Sequence, residues 1–422
     1  MCGFYFSTAP VIDDSFEDVK QRGFDSREFS GDGYRAIQSV MPTIHNDINF
    51  DVYDSVDYLF LFVGEVYSYD KSYNTDTEFV LDKLLQGQQV FEGMYAYILY
   101  NKHTKKCITG RDQSGQIPLY YSYTNGFTVS TTLKSMVKNL QPRPSPYTLE
   151  DWNLSKHYIF SQTCWQGISH VSPHENNVRV YNKPDKVKQT LKELKDDYTC
   201  YLPSVCINSG GVDSGIVANL FDYDQVALNH VGKDYISNNL THSIEITEKL
   251  WFNSVVDFIN DTYSIPYSWS WIGYYIIGKQ LQGKYNVLYT GEGADEIFGG
   301  YPGYKQGTRT PYSQPFRETL HDDPVVNNKL LDQKYFIPSS TMGANLALGC
   351  FTIESRNIFC DHRFINNNHF WYESEKVELK KLYTEIYKKQ PDAKQGFAGY
   401  PDEFGGEIGW KEQCFKVLGN IL

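Results

Sequence analysis

Two short apolar runs constrain the fold of this chain more than any other feature. Ser204 to Asn208 reads as a buried strand and passes directly into Ser209-Gly210-Gly211-Val212-Asp213-Ser214. Asn286 to Thr290 reads the same way and passes into Gly291-Glu292-Gly293-Ala294-Asp295-Glu296. Between them lie a third apolar run, Val226 to Val231, and a helix-like stretch, Ile244 to Ile259, with Trp251, Val255, Phe258 and Ile259 on one face. Short strands alternating with helices predict a parallel, doubly wound sheet, which binds ligands outside the carboxyl ends of its strands.

The chain before about residue 180 has a different texture. Asp57 to Tyr69, Gly93 to Tyr100, Pro118 to Tyr123 and Gly126 to Thr131 are aromatic and β-branched, punctuated by glycine, asparagine and charged turns. One helix interrupts them. Thr75 and Glu78 form a capping box, Phe79, Val80, Leu84 and Leu85 follow at helical spacing, and Gly87 is its stop. This predicts an α+β unit on antiparallel strands. The charged stretch 182–200 reads as the junction, so the expected domains are 1–182 and 183–422.

The two glycine turns carry chemistry. Around Ser209 to Ser214, glycines let the backbone approach a phosphate, Ser209 and Ser214 offer hydroxyls, and the following helix aims its free N–H groups at the anion. Taken alone, the segment also fits a tight strand–helix turn with no ligand. Asp213 favours the phosphate, because a carboxylate beside a phosphate needs a cation such as Mg²⁺ between them. The stretch Glu292, Asp295 and Glu296 gathers three carboxylates between glycines, costly without a cation. Its alternative is a solvated acidic loop.

Composition excludes several classes. The net charge is −12 with no basic block, which argues against a nucleic-acid binder. No apolar run reaches the roughly 18 residues of a membrane span. The N-terminus lacks the basic flank of a signal peptide, so a cytoplasmic protein is expected. The eight cysteines are scattered, with no Cys-x-x-Cys pair, and form neither a disulfide framework nor a zinc site. Cys2 stands apart by position.

The second glycine turn, continued to Tyr301, resembles the GEGADE(L/I)FGGY signature of glutamine-dependent asparagine synthetases, and the first resembles their pyrophosphatase loop. The likeness runs along nearly the whole chain. Arg22-Gly23-Phe24-Asp25 is similar to the family's RGPD, Gly64-Glu65-Val66-Tyr67 to its GEIY, and Thr75-Asp76-Thr77-Glu78 to its SDTE. Gly93 to Tyr97 matches GMFAF, and Arg111 to Tyr121 matches RDxxGxxPLYY. Ile353 to Asp361 is similar to (L/I)EARVPFLD, and Lys394-Gln395-Gly396-Phe397 to a late lysine motif.

The resemblance implies an N-terminal α/β/β/α glutamine amidotransferase sandwich, followed by a nucleotide domain that adenylates a carboxylate with ATP and Mg²⁺. Glutamine or free ammonia would supply nitrogen through an apolar channel, and aspartate would be the acceptor. By resemblance Cys2 is the nucleophile, Gly64 and Asp76 hold glutamine, and Ser209, Gly210, Gly211, Val212, Asp213, Ser214 and Gly291 bind ATP and pyrophosphate. Asp213 and Asp295 would hold the metal, Glu292 and Glu354 line the acceptor pocket, and Lys394 stabilises the departing pyrophosphate. Removal of Met1 would leave the Cys2 α-amine as base for its thiol, with an unperturbed pKa near ~8. Asp76 equally fits a helix-dipole partner, and Glu354 with Arg356 a structural ion pair.

Three departures stand out. Val63 replaces the family asparagine whose side chain is the second oxyanion donor, a loss that typically costs on the order of 10²–10³ in rate. Gln38 aligns with the family arginine that binds the glutamine carboxylate, with Arg35 close enough in sequence to substitute for it. The family lysine upstream of Glu354 is missing from Gly343 to Ala347. The alternatives are amidation of a sugar acid, nucleobase acid or peptide, an ammonia-fed or ring-forming amide synthetase, and a non-catalytic binding protein. The oligomeric state stays open, a homodimer included.

Overall fold

The computed structural model describes residues 2–42, 53–67, 69–70, 72–145, 162–173, 187–230, 240–308, 310, 318–365, 374–391 and 414–421. In the first part, two antiparallel sheets face each other. One has the order β2 (Asp25–Gly31), β3 (Tyr34–Val40), β1 (Gly3–Ser7), β8 (Thr128–Ser130), β7 (Tyr120–Ser122), β9 (Ser169–His170). The other is β4 (Tyr58–Val66), β5 (Gly93–Asn101), β6 (Cys107–Arg111). Side chains alternate along β1 as the pleat requires. Phe4 and Phe6 enter the core between the sheets with Phe60, Phe62 and Tyr97. Tyr5 faces the other way, its ring 5.7 Å from Phe16 of helix α1 (Asp14–Lys20).

Helix α2 (Asp76–Leu85) covers β4 and forms as its sequence predicts. Thr75 caps it, accepting from the Glu78 N–H at 3.2 Å, while Glu78 reaches back to the Asn74 N–H at 3.1 Å. Gly87, at φ +92°, takes the left-handed turn that a side chain resists. Helix α3 (Leu133–Leu140) lies beside α1 on the outer face of the six-stranded sheet. The architecture is the expected α/β/β/α sandwich.

The second part is a parallel sheet in the order β12 (His242–Ile246), β11 (Asp224–His230), β10 (Ser204–Ile207), β13 (Val287–Thr290), β14 (Glu354–Asn357). Helix α4 (Val187–Tyr198) precedes it, and α5 (Val212–Phe221) follows β10. The stretch expected to be helical from Ile244 divides in two. His242–Ile246 pairs in parallel with β11, and α6 (Glu248–Thr262) starts only after Thr247, whose hydroxyl accepts from the Leu250 N–H at 3.2 Å. The cap, not the apolar spacing, sets the boundary. Trp251, Val255, Phe258 and Ile259 do share its buried face. Among the further helices of this part are α7 (Trp269–Leu281), α8 (Ala294–Phe298), α9 (Pro324–Leu331) and α10 (Ile337–Gly349). A π turn over Asp332–Phe336 joins the last two. The expected boundary at 182 lies outside the described residues. Among those residues no helix is long and apolar enough to cross a membrane.

The two parts meet over a polar seam. Arg356 of β14 is fully buried and bonds Glu65 of β4 at 2.5 Å, Glu354 at 3.1 Å and the Tyr198 carbonyl at 2.5 Å. The Ser114 hydroxyl donates to the Cys360 carbonyl at 2.7 Å, and the Asn357 amide to Gln116 at 3.1 Å. Arg22 donates to Asn345 of α10 at 2.8 Å.

Candidate active site

The first centre is built around Cys2, which leads into β1. Its thiol is held at the neighbouring strand, where the Met41 N–H donates to Sγ at 3.2 Å. The Arg22 guanidinium donates to the Cys2 carbonyl at 3.2 Å, so the nucleophile expected from sequence has a fixed backbone. Burial pushes the thiol pKa up to about 11, opposed by the positive N-terminus and reinforced by Glu354 and Glu65. The thiol therefore needs a base to react at neutral pH. Glu65 belongs to the sandwich and Glu354 to the parallel sheet across the seam, so the structure brings Cys2 and Glu354 into one neighbourhood.

Asp76 lies near the same centre, since Tyr53 feels the charges of both Cys2 and Asp76, and Gly64 lies two residues before the Val66 that Asp76 bonds. Gly64 sits in β4 at φ +103°, and a Cβ there would fall 1.9 Å from the Met94 carbonyl oxygen. No other residue fits without moving β5. Asp76 opens α2 and accepts the Val66 N–H at 2.9 Å, which ties the helix N-terminus to β4 two residues past Gly64. Tyr53 joins them. Its phenol bonds Thr77, and burial, then the charges of Cys2 and Asp76, raise its pKa. Tyr53 was not singled out in the sequence because no motif surrounds it.

Two of the departures, Gln38 and Val63, lie buried between the sheets. Gln38 does not stand in for an arginine: it is fully buried and bridges the two sheets, accepting from the Phe62 N–H at 3.2 Å and donating to the Ser39 carbonyl at 3.1 Å. Arg35 is no substitute either. It pairs with Asp13 at 2.7 Å and stacks over Phe16, at the β3 register opposite Ser7 and away from Cys2. Val63 is buried between the sheets.

The second centre lies at the carboxyl edge of the parallel sheet. Strands β10 and β13 are direct neighbours, so their two glycine turns come together. In the first turn Gly210 adopts φ +77°, Ser209 and Ser214 hydroxyls bond each other at 3.0 Å, and the Gly210 N–H donates to Asn208 at 3.0 Å. Gly211 is the N-cap and Val212 the first residue of α5, whose open N–H groups border the turn. Gly291 lets the turns touch, since a Cβ there would lie 2.8 Å from Cβ of Asp213.

Asp213 and Asp295 converge on one cation, the ammonium of Lys376, which bonds Asp213 and lies 2.7 Å from Asp295. Both carboxylates keep about a fifth of their surface exposed, 21% and 20%. The donor set fits the Mg²⁺ that the resemblance implies. Two hard oxygen donors beside the Ser209–Ser214 turn suit an ion that completes its shell with phosphate and water. Among the described residues, no group of three or more His, Cys, Asp or Glu could hold an ion unaided. Lys376 was missed in the sequence because it lies 163 residues from Asp213.

Glu292 accepts from Tyr274 at 2.7 Å and Ser340 of α10 at 2.6 Å; burial first, then Asp295 and Asp213, raise its pKa against those two donors. Glu296 accepts from Tyr301 at 2.6 Å. Behind them Asp332 is buried, bonded by Tyr304 and Thr310, and burial lifts its pKa to about 7. Glu354 opens β14 and is ion-paired with Arg356. Lys394 lies outside the described residues.

Comparison with known proteins agrees with this two-centre geometry. The glutamine amidotransferase domain family matches residues 52–189, and the asparagine synthase family matches residues 234–330. The two matched families are the halves named in glutamine-hydrolysing asparagine synthetases, to which the chain is similar along most of its length. It is 23% identical to a putative glutamine-hydrolysing asparagine synthetase 2 of Methanocaldococcus jannaschii, over 88% of this chain and 80% of the relative. It is 24% identical to asparagine synthetase 1 of Bacillus subtilis, over 91% of this chain and 70% of the relative. With asparagine synthetase B of Escherichia coli the figures are 23%, 65% and 53%. The synthetase match covers the Gly291 to Tyr301 turn, whereas the amidotransferase match begins beyond Cys2.

Proposed function

We propose that this chain is an ATP-dependent amide ligase that adenylates a carboxylic acid, releases pyrophosphate and lets ammonia displace AMP. The observation that carries this reading is the meeting of Asp213 and Asp295 on one cation beside the Ser209–Ser214 turn. In this reading ATP lies along the edge of β10 and β13 with its phosphates on the α5 N-terminus. Asp213 and Asp295 would hold Mg²⁺, which supplies charge neutralisation of the departing pyrophosphate. Glu292, fixed by Tyr274 and Ser340, borders the acceptor, and its raised pKa suits a group that exchanges a proton with arriving ammonia. Glu354 is assigned to the acceptor pocket and Lys394 to the pyrophosphate by resemblance alone.

Aspartate, giving asparagine, is the first acceptor to test. Pyrophosphate release with MgATP and a panel of acids is the experiment; silence with every acid rules the reading out. An ammonia-fed synthetase acting on another acid is the second reading. It draws on Gln38, whose amide is spent between the sheets, and on Val63, which brings no oxyanion donor. Cys2→Ala is expected to abolish glutamine-driven product and to leave ammonia-driven product within about twofold, because the thiol acts only on glutamine. Retention of glutamine-driven product would remove Cys2 from the mechanism.

A further inference from the structure

Lys376 occupies a place that three separate segments shape. It caps helix α11 (Val377–Tyr387) in the left-handed region, at φ 54° and ψ 40°, and Glu375 before it is also left-handed at φ +63°. Consecutive non-glycine residues there are strained, and such strain persists only where the surroundings enforce it. The enforcement is visible. The Lys376 N–H donates to the Phe298 carbonyl at 3.0 Å and the Glu375 N–H to the Gly299 carbonyl at 2.7 Å. Gly300 then leaves the side chain its room: a Cβ there would lie 2.3 Å from Cε of Lys376 and 1.8 Å from Oδ1 of Asp295. The Phe298-Gly299-Gly300 turn is thus a mould for this lysine. The residue is 5% exposed, and although burial works against the charge, Asp213 and Asp295 hold its pKa above the ordinary lysine value.

We propose that Lys376 is the resident counter-ion of the Asp213–Asp295 pair, and that it makes divalent-metal binding conditional on nucleotide. Without nucleotide the ammonium satisfies both carboxylates and competes directly with a metal ion for them. Nucleotide phosphates offer the ammonium a second anionic partner within the sweep of its four-carbon stem, which frees the carboxylates for the metal. The inference rests on the nucleotide reading above and adds an order to it: metal and nucleotide load together.

The test uses Mn²⁺ as the probe, its free signal read by electron paramagnetic resonance, on the full chain. Lys376→Met is expected to bind Mn²⁺ alone at least about tenfold more tightly than wild type, within the usual range of coupling between sites. Lys376→Arg should stay near wild type, and Asp295→Asn added to Lys376→Met should cancel the gain. Equal Mn²⁺ affinity in wild type and Lys376→Met overturns the proposal. Wild type alone provides a second measurement that needs no variant to fold. Its Mn²⁺ affinity should rise about tenfold or more in a non-hydrolysable ATP analogue, and analogue binding without that rise also overturns the proposal. If the analogue does not bind wild type at all, the nucleotide reading itself falls, a result distinguishable from failure of the counter-ion role alone.

Discussion

At the scale of single residues, close approach governs the nucleotide edge. Gly300→Ala would drive a methyl into Asp295 and Lys376 without asking for a new backbone conformation. Displacement by about 1 Å at a reacting centre costs roughly 10²-fold, so pyrophosphate formation should drop by about that factor while far-UV circular dichroism is unchanged. Wild-type turnover in the variant would show that the mould is not needed. Asp332 adds a pH dependence whose sign is fixed by its burial. Its carboxyl keeps its proton to about 7 in the fold against 3.8 ordinarily, so the unfolded chain releases that proton first. Stability from this group is full below about pH 4 and is lost as the pH rises towards 7. Asp332→Asn cannot titrate and keeps an acceptor for Tyr304 and Thr310. The stability difference in favour of the variant should therefore grow by up to a few kcal/mol between pH 4 and pH 7, measured by urea unfolding. Parallel pH profiles would contradict it.

At the scale of elements, local signals were readable and distant ones were not. The α2 capping box, the β13 strand and the two glycine turns are written in consecutive residues, and the structure places them as read. The β12–α6 boundary was misplaced because Ile244 and Ile246 fit a helical face as well as an edge strand, and only the Thr247 cap separates the two. Strand β14 escaped the sequence reading because Glu354 to Asn357 is polar, an unusual composition for a fully buried strand. Its hydrogen-bonded charges explain it: Arg356 answers Glu65, 291 residues away, and Glu354 beside it. Arg356→Met would strand two buried carboxylates. Removing one partner of such a cluster typically costs about 3–5 kcal/mol, so the denaturant midpoint should fall sharply. A loss below about 1 kcal/mol, the range of exposed pairs, would mean that the seam is solvated.

At the scale of the whole molecule, the motifs that marked the family divide by purpose. Gly291 to Tyr301 and Ser209 to Ser214 build the nucleotide edge. Arg22, Glu65, Ser114 and Gln116, drawn from three N-terminal motifs, instead join the sandwich to the parallel sheet. Sequence spacing cannot separate these purposes, because a seam residue and a site residue look alike until both sides of the seam are placed. Helix α10 draws the two centres together. Ser340 on it steadies Glu292, and Asn345 on it receives Arg22, which in turn grips the Cys2 carbonyl. The two positions are separated by about 7 to 8 Å of helix axis at 1.5 Å per residue. Anyone building a chimaera from this scaffold must therefore treat that rod as common property: an amidotransferase half borrowed from another relative arrives without its anchor unless it brings an arginine that finds Asn345.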